Sequence, residues 1–204
     1  MSMPALLSHF GINTVRFVTQ TGEIVFDGVT KTSNGFTHAT LGVVTPVPKH
    51  TFHGGEDEPD DIPIGPAAWW DDKTQLTRHI EAMETSFPDF VYVAPDDDSG
   101  PCWGGAIDTG RGKFEVGIFP RRDQALPRVV VFSRRLGAQA GRKWQDSPHL
   151  YLNGNLCIAD RNDWNPAEHT AATVTAWAAH WLAAYTEWRM SRRWPVEGVQ
   201  AVAS

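Results

Sequence analysis

The chain has 204 residues, 41% hydrophobic and 21% charged, and its 18 Lys+Arg against 24 Asp+Glu give a net charge of -6. That mix excludes a wholly disordered chain, a collagen and a coiled coil, and the negative balance argues against a protein that binds nucleic acid by neutralising phosphates. No run approaches the roughly 18 apolar residues of a membrane span, residues 1–9 lack the basic region of a secretory signal, and the two cysteines, Cys102 and Cys157, read as free thiols in a reducing, cytoplasmic setting.

The first third reads as short β-strands. Residues 15–19 and 23–26 flank Gly22, which predicts a hairpin, and residues 35–41 read as a third strand. These pieces are too small to make a core of their own. The acidic run Glu56 to Asp61, set among Pro59, Pro63, Pro66, Gly54, Gly55 and Gly65, buries little apolar surface, so residues 46–68 read as a linker or long loop. His50 and His53 lie beside it, and they read as solvated rather than metal-binding. The organisation expected is therefore a β-rich extension with an acidic linker over residues 1–68, followed by a domain over 69–204.

Beyond the linker the pattern sharpens. Leu76, Ile80, Met83 and Phe87 are spaced by four, three and four, one face of a helix that starts at Asp71 and Asp72 and stops at Pro88. Four strand-like runs follow, at residues 90–94, 102–108, 113–119 and 128–133. The turn-rich segments between them are short, so the strands form an antiparallel meander. Phe114, Val116 and Ile118 alternate with Glu115 and Gly117, so one face is buried. Residues 136–159 read as a long irregular stretch carrying Cys157. Asn165 as N-cap, Pro166 at the first turn and Glu168 two residues later predict a helix from there to about Met190, with Val174, Trp177, Trp181 and Trp188 on one packing stripe. The fold class is α+β: helix, four-stranded meander, cysteine-bearing loop, helix.

The segment Ser147-Pro148-His149-Leu150-Tyr151-Leu152-Asn153-Gly154-Asn155-Leu156-Cys157-Ile158, followed by Asp163-Trp164-Asn165-Pro166 and Thr170, resembles the active-site stretch of the ubiquitin-conjugating (UBC) enzymes. That family has His-Pro-Asn, an Asn-Gly turn, and a nucleophilic Cys between aliphatic residues. Gly100 to Ile107, Phe114 to Pro120 and Pro127 to Phe132 are similar to its second, third and fourth strands, so the likeness covers about residues 73–195. Three features depart from the eukaryotic pattern. His149 stands in the place of the tripeptide Asn, eight residues before Cys157; the segment Arg134 to Arg142 is long; and the end, Trp181 to Pro195, is similar to the bacterial branch found in antiviral conjugation operons.

The resemblance implies a carrier enzyme. It would take the C-terminus of a ubiquitin-like or other protein as a thioester on Cys157 and pass it to an amine. A thiol suits this work because it is both a strong nucleophile and a good leaving group. On that reading His149 donates to the oxyanion or acts as base toward the amine, Asn153 assists by hydrogen bonding, and Asp160 and Asp163 orient the acceptor amine. Tyr151, Trp164 and Pro166 support the loop. No metal or cofactor is called for, and a separate ATP-dependent activating enzyme is implied because the chain has no nucleotide motif: the glycines between Gly105 and Lys113 have the wrong spacing. A deconjugating peptidase from the same operon is a further implied partner; nucleic acid and membrane are not.

Blander readings stand beside these. Free cysteines are usually buried packing, which is the reading for Cys102. Asn153 suits a left-handed turn, and Asp163 and Asn165 suit helix caps. Arg121-Arg122, Arg134-Arg135 and Arg192-Arg193 suggest a basic surface for an acidic protein partner. The competing function is a non-catalytic module that binds a ubiquitin-like protein on the same fold. A cysteine hydrolase using Cys157 with His149 or His169 is a third, for which eight residues within one loop make a poor dyad.

Overall fold

The computed structural model describes residues 14–60 and 68–198. The first nine residues and the 61–67 part of the expected linker lie outside them. The N-terminal strands are β1 (Phe17–Thr19), β2 (Ile24–Val25), β3 (Val29–Thr32), β4 (Gly35–His38) and β5 (Gly42–Pro46). They form one antiparallel sheet in the order β2-β1-β5-β4-β3. The hairpin around Gly22 is present. β3 and β5 are additional to the expected strands.

Helix α1 (Lys73–Ser86) starts where the acidic residues predict, because the Asp72 carboxylate accepts the amides of Thr74 and Gln75. It leads into β6 (Val91–Val93), β7 (Cys102–Asp108), β8 (Lys113–Phe119) and β9 (Arg128–Val131), an antiparallel meander in sequence order. In β7 and β8 the alternation sets the buried face: Trp103 pairs with Ile118 and Ile107 with Phe114, all four buried.

Two expectations change. The stretch after residue 136 is not wholly irregular: β10 (Gly137–Ala140) and β11 (Lys143–Asp146) form a hairpin. The Tyr185 hydroxyl donates to the Gly137 carbonyl and accepts its amide, fixing the base of that hairpin to the last helix. That helix, α2 (Ala171–Ser191), begins five residues later than the Asn-Pro-Ala-Glu signature predicts. Asn165 does start a turn, with its side chain accepting the Ala167 amide and its carbonyl accepting those of Glu168 and His169. The turn cannot continue, because Arg78 of α1 takes the carbonyls of Pro166, Ala167 and His169 that a longer helix would need. The Ala171 amide turns instead to the ring of His79.

Helix α2 is buried almost all round. Val174, Trp177, Trp181 and Trp188 lie in the core as their spacing predicts, and so do Ala171, Ala176, Ala179 and Leu182 on other faces. It touches α1 and β8 as well as β1 and β2 of the N-terminal sheet. Val18 and Phe52 share one hydrophobic cluster with Trp103 and Trp181. The whole is an α+β arrangement of two helices and antiparallel sheets. Among the described residues no helix is long and apolar enough to cross a membrane.

Candidate functional site

The loop bearing Cys157 is a tight hairpin. Leu150 and Leu156 form a bridge, the Tyr151 amide donates to the Asn155 carbonyl, and the Gly154 amide to that of Tyr151. Gly154 sits at φ +91°, a conformation that costs glycine nothing. The Asn153 side chain accepts the Asn155 amide at 3.0 Å and so shapes the turn, but the left-handed position is taken by Gly154 and not by Asn153. The loop is tied down on both sides: the Leu156 amide donates to Val129 in β9, and the Cys157 amide to the His149 carbonyl.

Cys157 is not presented at the surface as the sequence leads one to expect. It is 1% exposed. Burial pushes its thiol up to about 11, with the charges of Glu56 and Glu58 adding to the effect. The Tyr151 hydroxyl and the His53 backbone, lying near the sulfur, oppose the shift. Three of these four partners, His53, Glu56 and Glu58, belong to the segment read as a solvated linker. Its described part is bound to the protein throughout. The Thr51 amide donates to Asp163 at 2.7 Å, and His53 Nε2 lies 3.2 Å from Asp160. The Gly55 amide donates to the Leu150 carbonyl, and the Leu152 amide to that of Glu56. Glu58 accepts from the side-chain amides of Asn153 and Asn155 at 2.8 and 2.7 Å and lies 3.5 Å from Arg128. Arg121 donates to the carbonyls of Pro59 and Asp60. The acidic run therefore stays ordered by local charge pairing and backbone bonds, not by apolar burial.

The other expected site residues are distributed as follows. His149, at φ +59°, packs its ring on Trp194 and Phe52, with Nδ1 3.1 Å from the His53 carbonyl. Its carbonyl accepts both the Cys157 amide and the Trp181 indole. Asn153 reaches Glu58. Asp160 caps the short helix at residues 161–163 through the Asn162 amide, and its carboxyl is held below its ordinary range chiefly by that bond. Asp163 serves Thr51 and the Asp160 amide. Trp164 donates to the Gln124 carbonyl, and the Pro166 carbonyl receives Arg78. Tyr151, assigned only a supporting place, has its hydroxyl close enough to the thiol for the two to influence each other's ionisation; burial raises its own hydroxyl. His169 packs its ring at a tilt against Trp164 and edge-on against Trp177.

Cys102 is half-buried on β7, and burial raises its thiol as well. His50 is not solvated: its Nε2 lies 3.0 Å from Nδ1 of His180 and its Nδ1 2.7 Å from the Pro48 carbonyl. Burial lowers these two rings to about 4 and about 3. Arg121 is not part of a basic surface, since it forms a buried two-point ion pair with Asp123. Sequence reasoning missed His53, Glu58 and Arg121. The signal available was an acidic run in a chain that carries arginines elsewhere able to reach it. Among the described residues no three His, Cys, Asp or Glu side chains converge as a metal site.

A groove of about 870 Å³ adjoins the loop, lined by Val130, Phe132, Arg134, Leu150, Leu152 and Gly55 among others. The site is thus a buried thiol on a clamped turn beside a groove, within an α+β fold. The family model for Type II CBASS E2 proteins matches residues 79–201, so this chain belongs to that family, a bacterial E2-like protein of antiviral conjugation operons. Searches of curated proteins and of solved structures give no match.

Proposed function

We propose that the protein is a UBC-like carrier that accepts a protein's C-terminal acyl group as a thioester on Cys157 and transfers it to an amine, within a bacterial antiphage system. Residues 69–204 would be the UBC-like catalytic domain and residues 1–68 an accessory region that docks on it, acting in the cytoplasm. The observation that carries this reading is the family match over residues 79–201, which takes in the clamped turn that bears Cys157 with Tyr151 beside it. In charging, the sulfur attacks the activated carbonyl carbon, an S–C bond forms, and the activating enzyme's thiolate leaves with the proton released by Cys157. In discharge the amine nitrogen attacks that carbon, the S–C bond breaks, and the thiol is regenerated. Tyr151 is the group placed to hydrogen-bond the sulfur as it gains and loses charge. Asp160 and Asp163 would act on the acceptor amine only after releasing His53 and Thr51. The partners are a ubiquitin-like protein or another protein with a free C-terminal tail, a separate activating enzyme, and a deconjugating peptidase.

The burial of Cys157 favours a second reading, a binding module without thioester chemistry. One experiment separates them. The protein is mixed with ATP, the activating enzyme of its operon and the candidate modifier, then run on a non-reducing gel. The carrier gives a thiol-sensitive adduct, lost in Cys157→Ala and converted to a thiol-resistant ester in Cys157→Ser. A complex that forms without adduct, and equally in Cys157→Ala, overturns the carrier reading.

A further inference from the structure

We propose that residues 53–58 form an autoinhibitory strap, seated on the track that the acyl donor's tail must use to reach Cys157, and that the strap lifts before the thiol is charged. This rests on the carrier reading above. The strap already behaves as a bound tail. It runs along the loop with a bend at Gly55 and Glu56, and it makes backbone hydrogen bonds on either side of Tyr151, to the Leu150 carbonyl and from the Leu152 amide. At Gly54 it passes so close that a Cβ would lie 2.4 Å from the His149 Cα and 2.9 Å from the Leu150 nitrogen. Backbone atoms cannot give way there, so the track accepts glycine and no larger residue at that crossing. Any tail that displaces the strap meets the same backbone, which identifies the occupant as an extended, glycine-bearing C-terminal tail. Gly55 also lines the adjoining groove, where Phe132 and Leu152 are 61% and 68% exposed, so lifting the strap joins that groove to the thiol.

The anchors divide the strap into fixed ends and a releasable middle. Phe52 is buried in the core, and its backbone pairs with Gly198. At the other end, buried Arg121 holds the carbonyls of Pro59 and Asp60. Between them the strap is held by polar contacts: the two backbone bonds, His53 on Asp160, and Glu58 on Asn153, Asn155 and Arg128. Polar contacts, unlike an apolar seal, can be exchanged for water, and Glu58, whose side chain is 7% exposed, is the strongest hold among them, so its charge decides whether the strap stays down.

The test uses the full chain, with iodoacetamide as the probe and peptide-resolved mass spectrometry as the readout at each cysteine. In the wild type Cys157 is alkylated about 100-fold slower than an unstructured cysteine, as expected for a covered thiol with little thiolate. Glu58→Gln, which keeps the shape and removes the charge, speeds Cys157 about tenfold, the effect of losing one charge-assisted contact. It leaves Cys102 unchanged. Gly54→Ala does the same by displacing the strap. Should Gly54→Ala misfold by circular dichroism, Glu58→Gln decides alone. A Cys157 alkylated at one rate in the wild type and Glu58→Gln overturns the strap. In parallel, a short synthetic peptide ending in a glycine thioester is offered to each protein. Transfer replaces the peptide's C–S bond with one to Cys157 and releases the donor thiol. The strap predicts faster transfer to Glu58→Gln than to wild type. A thiol that becomes open to alkylation but takes no acyl group overturns the carrier reading and leaves the strap standing.

Discussion

Tyr151 and His149 illustrate how a motif position and a chemical role come apart. Both flank Leu150, two residues apart, and in the linear motif His149 is the more promising partner for a thiol. The structure turns its ring toward Trp194 and Phe52, and the polar side chain that neighbours the sulfur is Tyr151 instead. What His149 contributes is a left-handed backbone that aims its carbonyl at the Cys157 amide and the Trp181 indole. Tyr151→Phe removes the donor and little volume. Its thiol should ionise at still higher pH, and charging should slow about 10- to 100-fold, the scale of one lost donor to a developing charge. Single-turnover charging at several pH values checks both, and rescue of the rate at high pH would separate an ionisation effect from a packing one. No local feature of the sequence selects Tyr151, because its role depends on the rotation of a turn.

At the scale of elements, local chemistry was legible and long-range chemistry was not. The Asp72 cap, the 3-4 spacing of α1, and the alternation in β7 and β8 all act within a few residues, and those elements begin and end within a residue of their expected limits. The start of α2 was misplaced because its cause, Arg78, lies about ninety residues away on another helix. The acidic segment was misread for the same reason: Arg121, Arg128, Asn153 and Asn155 are 61 to 97 residues distant from the residues of that segment that they hold. Arg78→Ala tests this account of α2. Three carbonyls lose a charged donor, so stability should fall by roughly 1.5–3 kcal/mol. Amide exchange at residues 167–173 should rise while α1 stays protected, as measured by hydrogen–deuterium exchange.

The whole molecule carries a cost of burying imidazoles. His50, His79 and His180 have ordinary values of 6.5 and are lowered to about 4, about 4 and about 3, each chiefly by burial. Folding therefore favours their neutral forms. Above pH 6.5 folded and unfolded chains carry these rings alike, and the stability they leave is complete. Below it the unfolded chain takes up protons that the folded chain refuses, so stability falls by about 1.4 kcal/mol per pH unit for each ring until its folded value is reached. Urea midpoints should drop steeply between pH 6.5 and 4, and His180→Gln should flatten that slope by removing one titrating group. A midpoint constant across the range would refute the assignment.

The circumference of α2 has a bearing on where this protein can be divided. The matched family region starts at residue 79, yet the Trp177 indole donates to the carbonyl of Pro48, and β1 and β2 lie along the same helix. A polypeptide trimmed to the matched stretch would leave that indole without its acceptor and a flank of alanines and tryptophans open to water, inviting self-association. The span that identifies the protein by descent is thus shorter than the span needed to keep its longest helix dry.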